Sequence, residues 1–305
     1  MKPAAATADF SVQLDGQARS RSIRDFVALT KPRLNLLVLI TTTTGVYLGA
    51  PAGVMLPLLL HTVIGTALVA SGAAALNQVW ERDTDLRMRR TRVRPVPSGR
   101  LSARDAWWFG AVLSTAGLAQ LAIWVNWPAT VIAAVTLTSY ILVYTPLKRR
   151  TSLATLVGAF PGALPPVIGW AAATGQVSLE AFVLFGIVFF WQMPHFLAIA
   201  WLHRDDYANA GIPLLPVLEP DGQRTGRQAL LYAVALWPVS LLPTVVGLAG
   251  DAYLVIATVL GLAFIALSAI FARDRSNVSA RRLFLFSITY LPLLWIALVA
   301  NRLWA

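Results

Sequence analysis

Asn77, Glu81 and Asp85 stand at i, i+4 and i+8 in the stretch NQVWERDTDLRMRRTRVRP, residues 77–95. On a helix each step of four drifts by only about 40°, so the three side chains project from one face. Asp83 falls roughly opposite Glu81 and points elsewhere unless the helix ends there. An amide oxygen and two carboxylates on one face suit a hard divalent cation. Mg²⁺ in particular takes one or two carboxylates and completes its sphere with water and substrate phosphate oxygens. The arginines that follow (Arg87, Arg89, Arg90, Arg92 and Arg94) are the side chains that grip phosphate in bidentate geometry. Carboxylates, metal and guanidinium groups together describe a diphosphate site, and apolar surroundings suit a substrate with a long hydrocarbon tail. Taken alone, the arginines read equally as the basic loop that follows a membrane span or as solvated ion pairs. The acidic face, with a second acidic cluster elsewhere, favours function, because charge at such a helix end is costly.

That second cluster lies in WQMPHFLAIAWLHRDDYANAGIPLLP, residues 191–216. Pro194 inside an apolar run implies a kink that widens a cavity. If the helix continues past it, His195 and Asp206 share a face, with Gln192 nearby. Asp205 and Asp206 either hold a second cation or orient a basic clamp. His195 ligates a metal-bearing cofactor, works as acid or base, or is a buried histidine bonded to a neighbouring helix. A third stretch, YTPLKRRTSLATLVGAFPGALPPVIGW at residues 144–170, brings Lys148 and Arg149 to the start of another span. There Pro165–Pro166 breaks the helix midway, and Gly158, Gly162 and Gly169 allow close approach. His61 and His203 are assigned no chemistry.

The elements that must position these groups are membrane spans. Of 305 residues, 57% are hydrophobic and 13% charged, and the mean hydropathy is +0.65, too apolar for an ordinary soluble domain. Apolar stretches of about 20 residues, enough to cross a bilayer, fall near 34–54, 56–80, 106–125, 127–145, 152–174, 177–202, 228–249, 251–271 and 283–301. The expected fold is therefore all-α, with nine transmembrane helices around a central cavity. Residues 1–28 form a flexible extension and 29–305 a single polytopic domain. With nine spans, 24 of the 25 lysines and arginines lie on one face and only Arg302 on the other. The positive-inside rule makes that face cytoplasmic, places the N-terminus and the charged loops there, and leaves the C-terminus on the opposite side. A net charge of +11 that follows topology in this way excludes nucleic acid as partner. No cysteine is present, so disulfides and thiolate metal sites are excluded. Acidic clusters after the second and sixth spans alternate with basic ones after the fourth and eighth, an internal repeat of four helices.

The pattern Asn77-x-x-x-Glu81-x-x-x-Asp85 followed by LRMRRTRVRP resembles the first motif of the UbiA-type intramembrane prenyltransferases. Met88-x-Arg90-Thr91-x-x-Arg94-Pro95 is similar to its form in the branch that farnesylates heme. TKPRLNLLVL (30–39), YTPLKRRT, PPVIGW, WQMPHF through DDYANAGIPLLP, and RRLFLFSITYLPLL (281–294) resemble the same branch. The resemblance covers nearly the whole chain after residue 28. It implies a nine-helix bundle with a cavity open to the cytoplasm, in the bacterial inner membrane. It implies transfer of a farnesyl group from farnesyl diphosphate to a vinyl group of protoheme IX with addition of water, giving heme O, and heme A synthase as the downstream partner. Carried over by residue, Asn77, Glu81 and Asp85 form the first Mg²⁺ and diphosphate motif, and Asp205 and Asp206 the second. Arg90, Arg94, Lys148 and Arg149 contact phosphate or propionate, with Gln192, His195 and Tyr207 in the substrate pocket. The family often has Asp where Glu81 stands, and many relatives carry Asn in place of Ala154. Two competing readings are a prenyltransferase of the same scaffold acting on an aromatic acid or quinone precursor, and a transporter. Against the transporter, the span centres are almost free of charge and the polar groups gather at one face.

Overall fold

A computed structural model describes residues 22–50 and 53–303. Among them every regular element is helical: α1 (Ile23–Leu29), α2 (Pro32–Gly49), α3 (Leu56–Trp80), α4 (Arg82–Arg87), α5 (Ala103–Trp124), α6 (Trp127–Thr138), α7 (Thr145–Leu147), α8 (Ala154–Ala163), α9 (Pro165–Thr174), α10 (Leu179–Leu202), α11 (Arg204–Asn209), α12 (Leu215–Leu218), α13 (Gln223–Val245), α14 (Asp251–Asp274) and α15 (Asn277–Leu303). A π-helical segment, Ser139–Tyr144, joins α6 to α7. The apolar run breaks at Leu164, where Pro165 and Pro166 open α9 as expected. In contrast, α10 stays continuous through Pro194.

Among the described residues eight helical segments are long and apolar enough to cross a membrane, against nine expected. The chain is a multi-pass membrane protein. Large apolar side chains such as Val112, Ile123, Val259 and Ile296 stand exposed on its flanks, where a soluble protein would place polar groups. The helix that falls short is α2, because Arg33, Asn35 and four consecutive threonines dilute its apolar content. It nevertheless runs the height of the bundle. Lys31, at its start, reaches Asn77 near the end of α3, and Gly49, at its end, lies against Trp170, Ala173 and Thr174 of α9. Three of the threonines hide their hydroxyls by returning hydrogen bonds to their own helix, Thr41 and Thr42 to the carbonyl of Val38 and Thr44 to that of Ile40.

Helices α2 and α9 meet backbone to backbone. A Cβ on Gly169 would stand 2.0 Å from the Thr42 carbonyl oxygen, and one on Gly45 2.1 Å from that of Pro166. A rigid backbone cannot yield as a side chain does. Gly169→Ala is therefore expected to cost about 1–3 kcal/mol by overpacking, read as a lowered melting temperature in detergent. An unchanged melting temperature would mean that the two helices are free to separate.

Residues 1–21 lie outside the described residues, but 23–28, expected within a flexible extension, are helical in α1. Leu29 is fully buried, Phe26 packs edge-on against Phe109, and Asp25 accepts a 2.8 Å hydrogen bond from Arg100. At the opposite end of the bundle Asn126 ties α6 to the carbonyls of Ala171 and Ala172. There Asn301 also accepts from the amides of Gly250 and Tyr253, capping the start of α14 from another helix.

Candidate active site

Helix α3 ends at Trp80, and Glu81 forms the hinge to α4. The hinge preserves the helical register, since the Glu81 amide still donates to the Asn77 carbonyl (2.9 Å) and the Asp85 amide to that of Glu81 (2.7 Å). Asn77, Glu81 and Asp85 are all buried. Asp83 turns away to an exposed pair with Arg82, as the spacing predicts.

Each of these buried side chains meets a cationic partner from a different segment. Lys31 Nζ donates to Asn77 Oδ1 at 3.2 Å, and Asn77 Nδ2 donates to Thr145 Oγ1. The wide turn of the π-helix delivers that hydroxyl, which donates in turn to the Tyr140 carbonyl. Lys148 Nζ holds Glu81 Oε1 at 2.8 Å. Arg94 holds Asp85 Oδ2 at 2.6 Å. Arg94 is in place because its loop is pinned over the end of α3. Thr91 donates to the Asp85 carbonyl, the Val96 amide to Gln78 Oε1, and Met88 is buried with Tyr207 and Ile212.

The second acidic motif sits on α11. The DYANAGIP sequence closes in a Schellman turn: Gly211 takes a left-handed φ of 68°, its amide donates to Ala208 and that of Ile212 to Tyr207. This presents Asp206 to the arginine loop, where the Arg89 amide donates to its Oδ1 at 3.4 Å and Arg90 donates to the Tyr207 hydroxyl at 3.3 Å. Both acidic segments thus touch the arginine loop, Asp85 through Arg94 and Asp206 through the Arg89 amide. Among the described residues no three His, Asp or Glu side chains gather as one metal cluster. Asp205 and Arg149 are exposed.

His195 and Asp206 do not share a helix face, contrary to the expectation from unbroken helical spacing. Helix α10 stops at Leu202, and His203 caps it before α11 begins. At 1.5 Å per residue, Gln192 and His195 lie roughly 10–15 Å back along α10 from that end. His195 Nδ1 is 2.7 Å from Ser287 Oγ on α15, and its ring packs between Trp191 and Phe284. Gln192 donates to the Ala159 carbonyl on α8, and the absence of a side chain at Gly162 gives it room.

Electrostatics bind the cluster together. Burial pushes the Glu81 carboxyl up, but Lys148, then Lys31 and Arg94, outweigh it and hold the group below its ordinary value. Burial, with Arg94 and Lys148 adding to it and Glu81 and Asp85 opposing, lowers the Lys31 ammonium to about 8. Lys148 is opposed by burial yet raised overall, with Tyr144 and Glu81 facing it. Three cations face two carboxylates, an excess that calls for an anion. Asp85 Oδ1 is buried without any hydrogen-bond partner, and leaving such an oxygen unsatisfied is costly. With Glu81 and Asn77 it makes an all-oxygen donor set that fits the Mg²⁺ implied by the resemblance. Lys31 and Thr145 escaped the sequence reading. The only signal was a lysine before the proline that opens a span, in TKPR.

The chain matches the UbiA prenyltransferase family over residues 38–291. It is 49% identical over 289 residues to the protoheme IX farnesyltransferase of Solibacter usitatus, covering 92% of this chain and 99% of that one. To the protein of the same name from Myxococcus xanthus it is 46% identical, covering 91% and 94%. Among solved structures, a digeranylgeranylglyceryl phosphate synthase superposes with a TM-score of 0.79 at 16% identity, over 92% of this chain and 99% of that one. A UbiA homologue from Archaeoglobus fulgidus bound to GPP and Mg²⁺ gives 0.62 at 14%, over 90% and 99%. The fold is that of these proteins, and with the family match and relatives this similar over nearly its whole length, the chain belongs to the UbiA prenyltransferase family.

Proposed function

We propose that this protein transfers the farnesyl group of farnesyl diphosphate to a vinyl group of protoheme IX, with addition of water, giving heme O and diphosphate. The observation that carries the reading is the buried cluster in which three cations crowd two carboxylates and Asp85 Oδ1 has no partner. The names of the relatives supply the acceptor.

Asn77, Glu81 and Asp85 would hold Mg²⁺, with Asp206 and Asp205 across the arginine loop as the second motif. When bound, the metal neutralises charge on the departing diphosphate. Lys148, Arg94 and Arg90 meet the same developing charge from the protein side, already oriented by Glu81, Asp85 and Tyr207, so little reorganisation is needed as the C–O bond breaks. Arg149 at the exposed edge suits a phosphate or a porphyrin propionate. Gln192 and His195, deeper along α10, line the acceptor's end of the pocket. Apolar helices around the site keep water from quenching the allylic cation before the vinyl carbon captures it.

On this reading α2 is a ninth span and residues 29–305 form one polytopic unit. The cavity and the charged end of the bundle face the cytoplasm of a bacterial inner membrane, the side that the positive-inside rule prescribes. The product passes to heme A synthase. Membranes containing the protein, given heme B, farnesyl diphosphate and Mg²⁺, are expected to form a heme carrying a hydroxyethylfarnesyl group, detected by mass spectrometry. A chelator should abolish its formation. Unmodified heme beside a working control would remove the porphyrin and move the test to aromatic acceptors.

A further inference from the structure

Three cationic side chains from three segments already hold the donors of the acidic motif: Lys31 on Asn77, Lys148 on Glu81 and Arg94 on Asp85. The last two are ion pairs at 2.8 and 2.6 Å. Lys31 differs from them. It bonds at 3.2 Å to a neutral amide oxygen, although the Glu81 and Asp85 carboxylates are close enough to act on its charge. Its backbone is left-handed, φ 48° and ψ 59°, a conformation uncommon for a residue with a Cβ.

We propose that Lys31 is a movable counter-charge of the diphosphate site, holding Asn77 Oδ1 until metal and diphosphate arrive together and then passing to a diphosphate oxygen. The inference rests on reading this cluster as a metal–diphosphate site and deepens it. A divalent cation arriving alone must take Asn77 from Lys31 and enter among three positive charges. A cation arriving with diphosphate gives the displaced ammonium a better partner than the amide it leaves. Metal and diphosphate binding are then positively coupled, and the coupling is reciprocal. No covalent bond changes in this exchange.

The test uses the full chain in lipid nanodiscs, with Mn²⁺ as the metal probe read by electron paramagnetic resonance and inorganic diphosphate as the anion. In the unaltered protein, diphosphate is expected to tighten Mn²⁺ binding at least tenfold. In Lys31→Gly, which accepts the left-handed backbone, Mn²⁺ alone should bind about tenfold tighter, the scale of one unit charge removed at this range. The enhancement by diphosphate should shrink to a few-fold. Lys31→Gln, which keeps the side-chain length without the charge, should behave alike and decides the matter if the glycine variant fails to fold. If both Mn²⁺ affinity and enhancement in the variants equal those of the unaltered protein, Lys31 is no counter-charge, while the site reading stands. If the unaltered protein binds no Mn²⁺ even with diphosphate, the site reading fails and the inference goes with it.

Discussion

Asp85→Asn is expected to lower turnover by about 10²–10³-fold while leaving a folded, membrane-inserted protein. The carboxylate is fully buried, with one oxygen on Arg94 at 2.6 Å and the other without a partner. Asparagine keeps the shape and can still accept from Arg94 through its Oδ1. It cannot supply the negative charge that a metal needs, and it sets an NH₂ where the unpartnered oxygen stood. Removing one preorganised electrostatic group from an active site costs about that factor, and a lost metal ligand belongs to the same class. The check pairs product detection by mass spectrometry with size-exclusion chromatography of the solubilised protein. Near-normal turnover would take Asp85 out of the metal site. An aggregated protein would assign it a folding role instead.

Lys148→Met should destabilise the protein by about 3–5 kcal/mol, because it leaves the Glu81 carboxylate buried without its main partner. Both side chains are largely shielded, Lys148 16% and Glu81 9% exposed, so solvent screens the pair poorly. The double variant Glu81→Gln with Lys148→Met removes both charges, and much of the lost stability should return. Activity should not return, since the phosphate-facing cation and the metal-ligating carboxylate are both gone. Thermal melting and product formation, measured together on the single and double variants, separate the two roles. A double variant no more stable than Lys148→Met would show that the pair does not act as a unit. Recovered turnover in it would place the pair outside the chemistry.

Residues 77–85 show how far one stretch of chain can be read alone. Spacing by four is a property of the helix itself, so the common face of Asn77, Glu81 and Asp85 and the turning away of Asp83 were legible. The register survives the Glu81 hinge because both i→i−4 hydrogen bonds do. The break at Pro165–Pro166 was legible for the same reason, being local stereochemistry. Helix α2 marks the first limit: its threonines dilute an apolar count, while the hydroxyls of Thr41, Thr42 and Thr44 are satisfied within the helix and the helix packs closely against α9. His195 marks the second. Its relation to Asp206 depended on a helix continuing past Leu202, where α10 instead stops at His203 and gives way to α11.

Eight long apolar helices, the loops that carry the charge and the common face of Asn77, Glu81 and Asp85 could all be read from the sequence alone. Hydropathy, helical period and charge pattern are short-range properties, set by residues a few positions apart. The partners became visible in the packed bundle: Lys31 on Asn77, Lys148 on Glu81, the Arg89 amide on Asp206 and Ser287 on His195, pairs separated by 46, 67, 117 and 92 positions. Such pairings follow from how whole helices pack, and no local pattern encodes which side chain a distant helix will deliver.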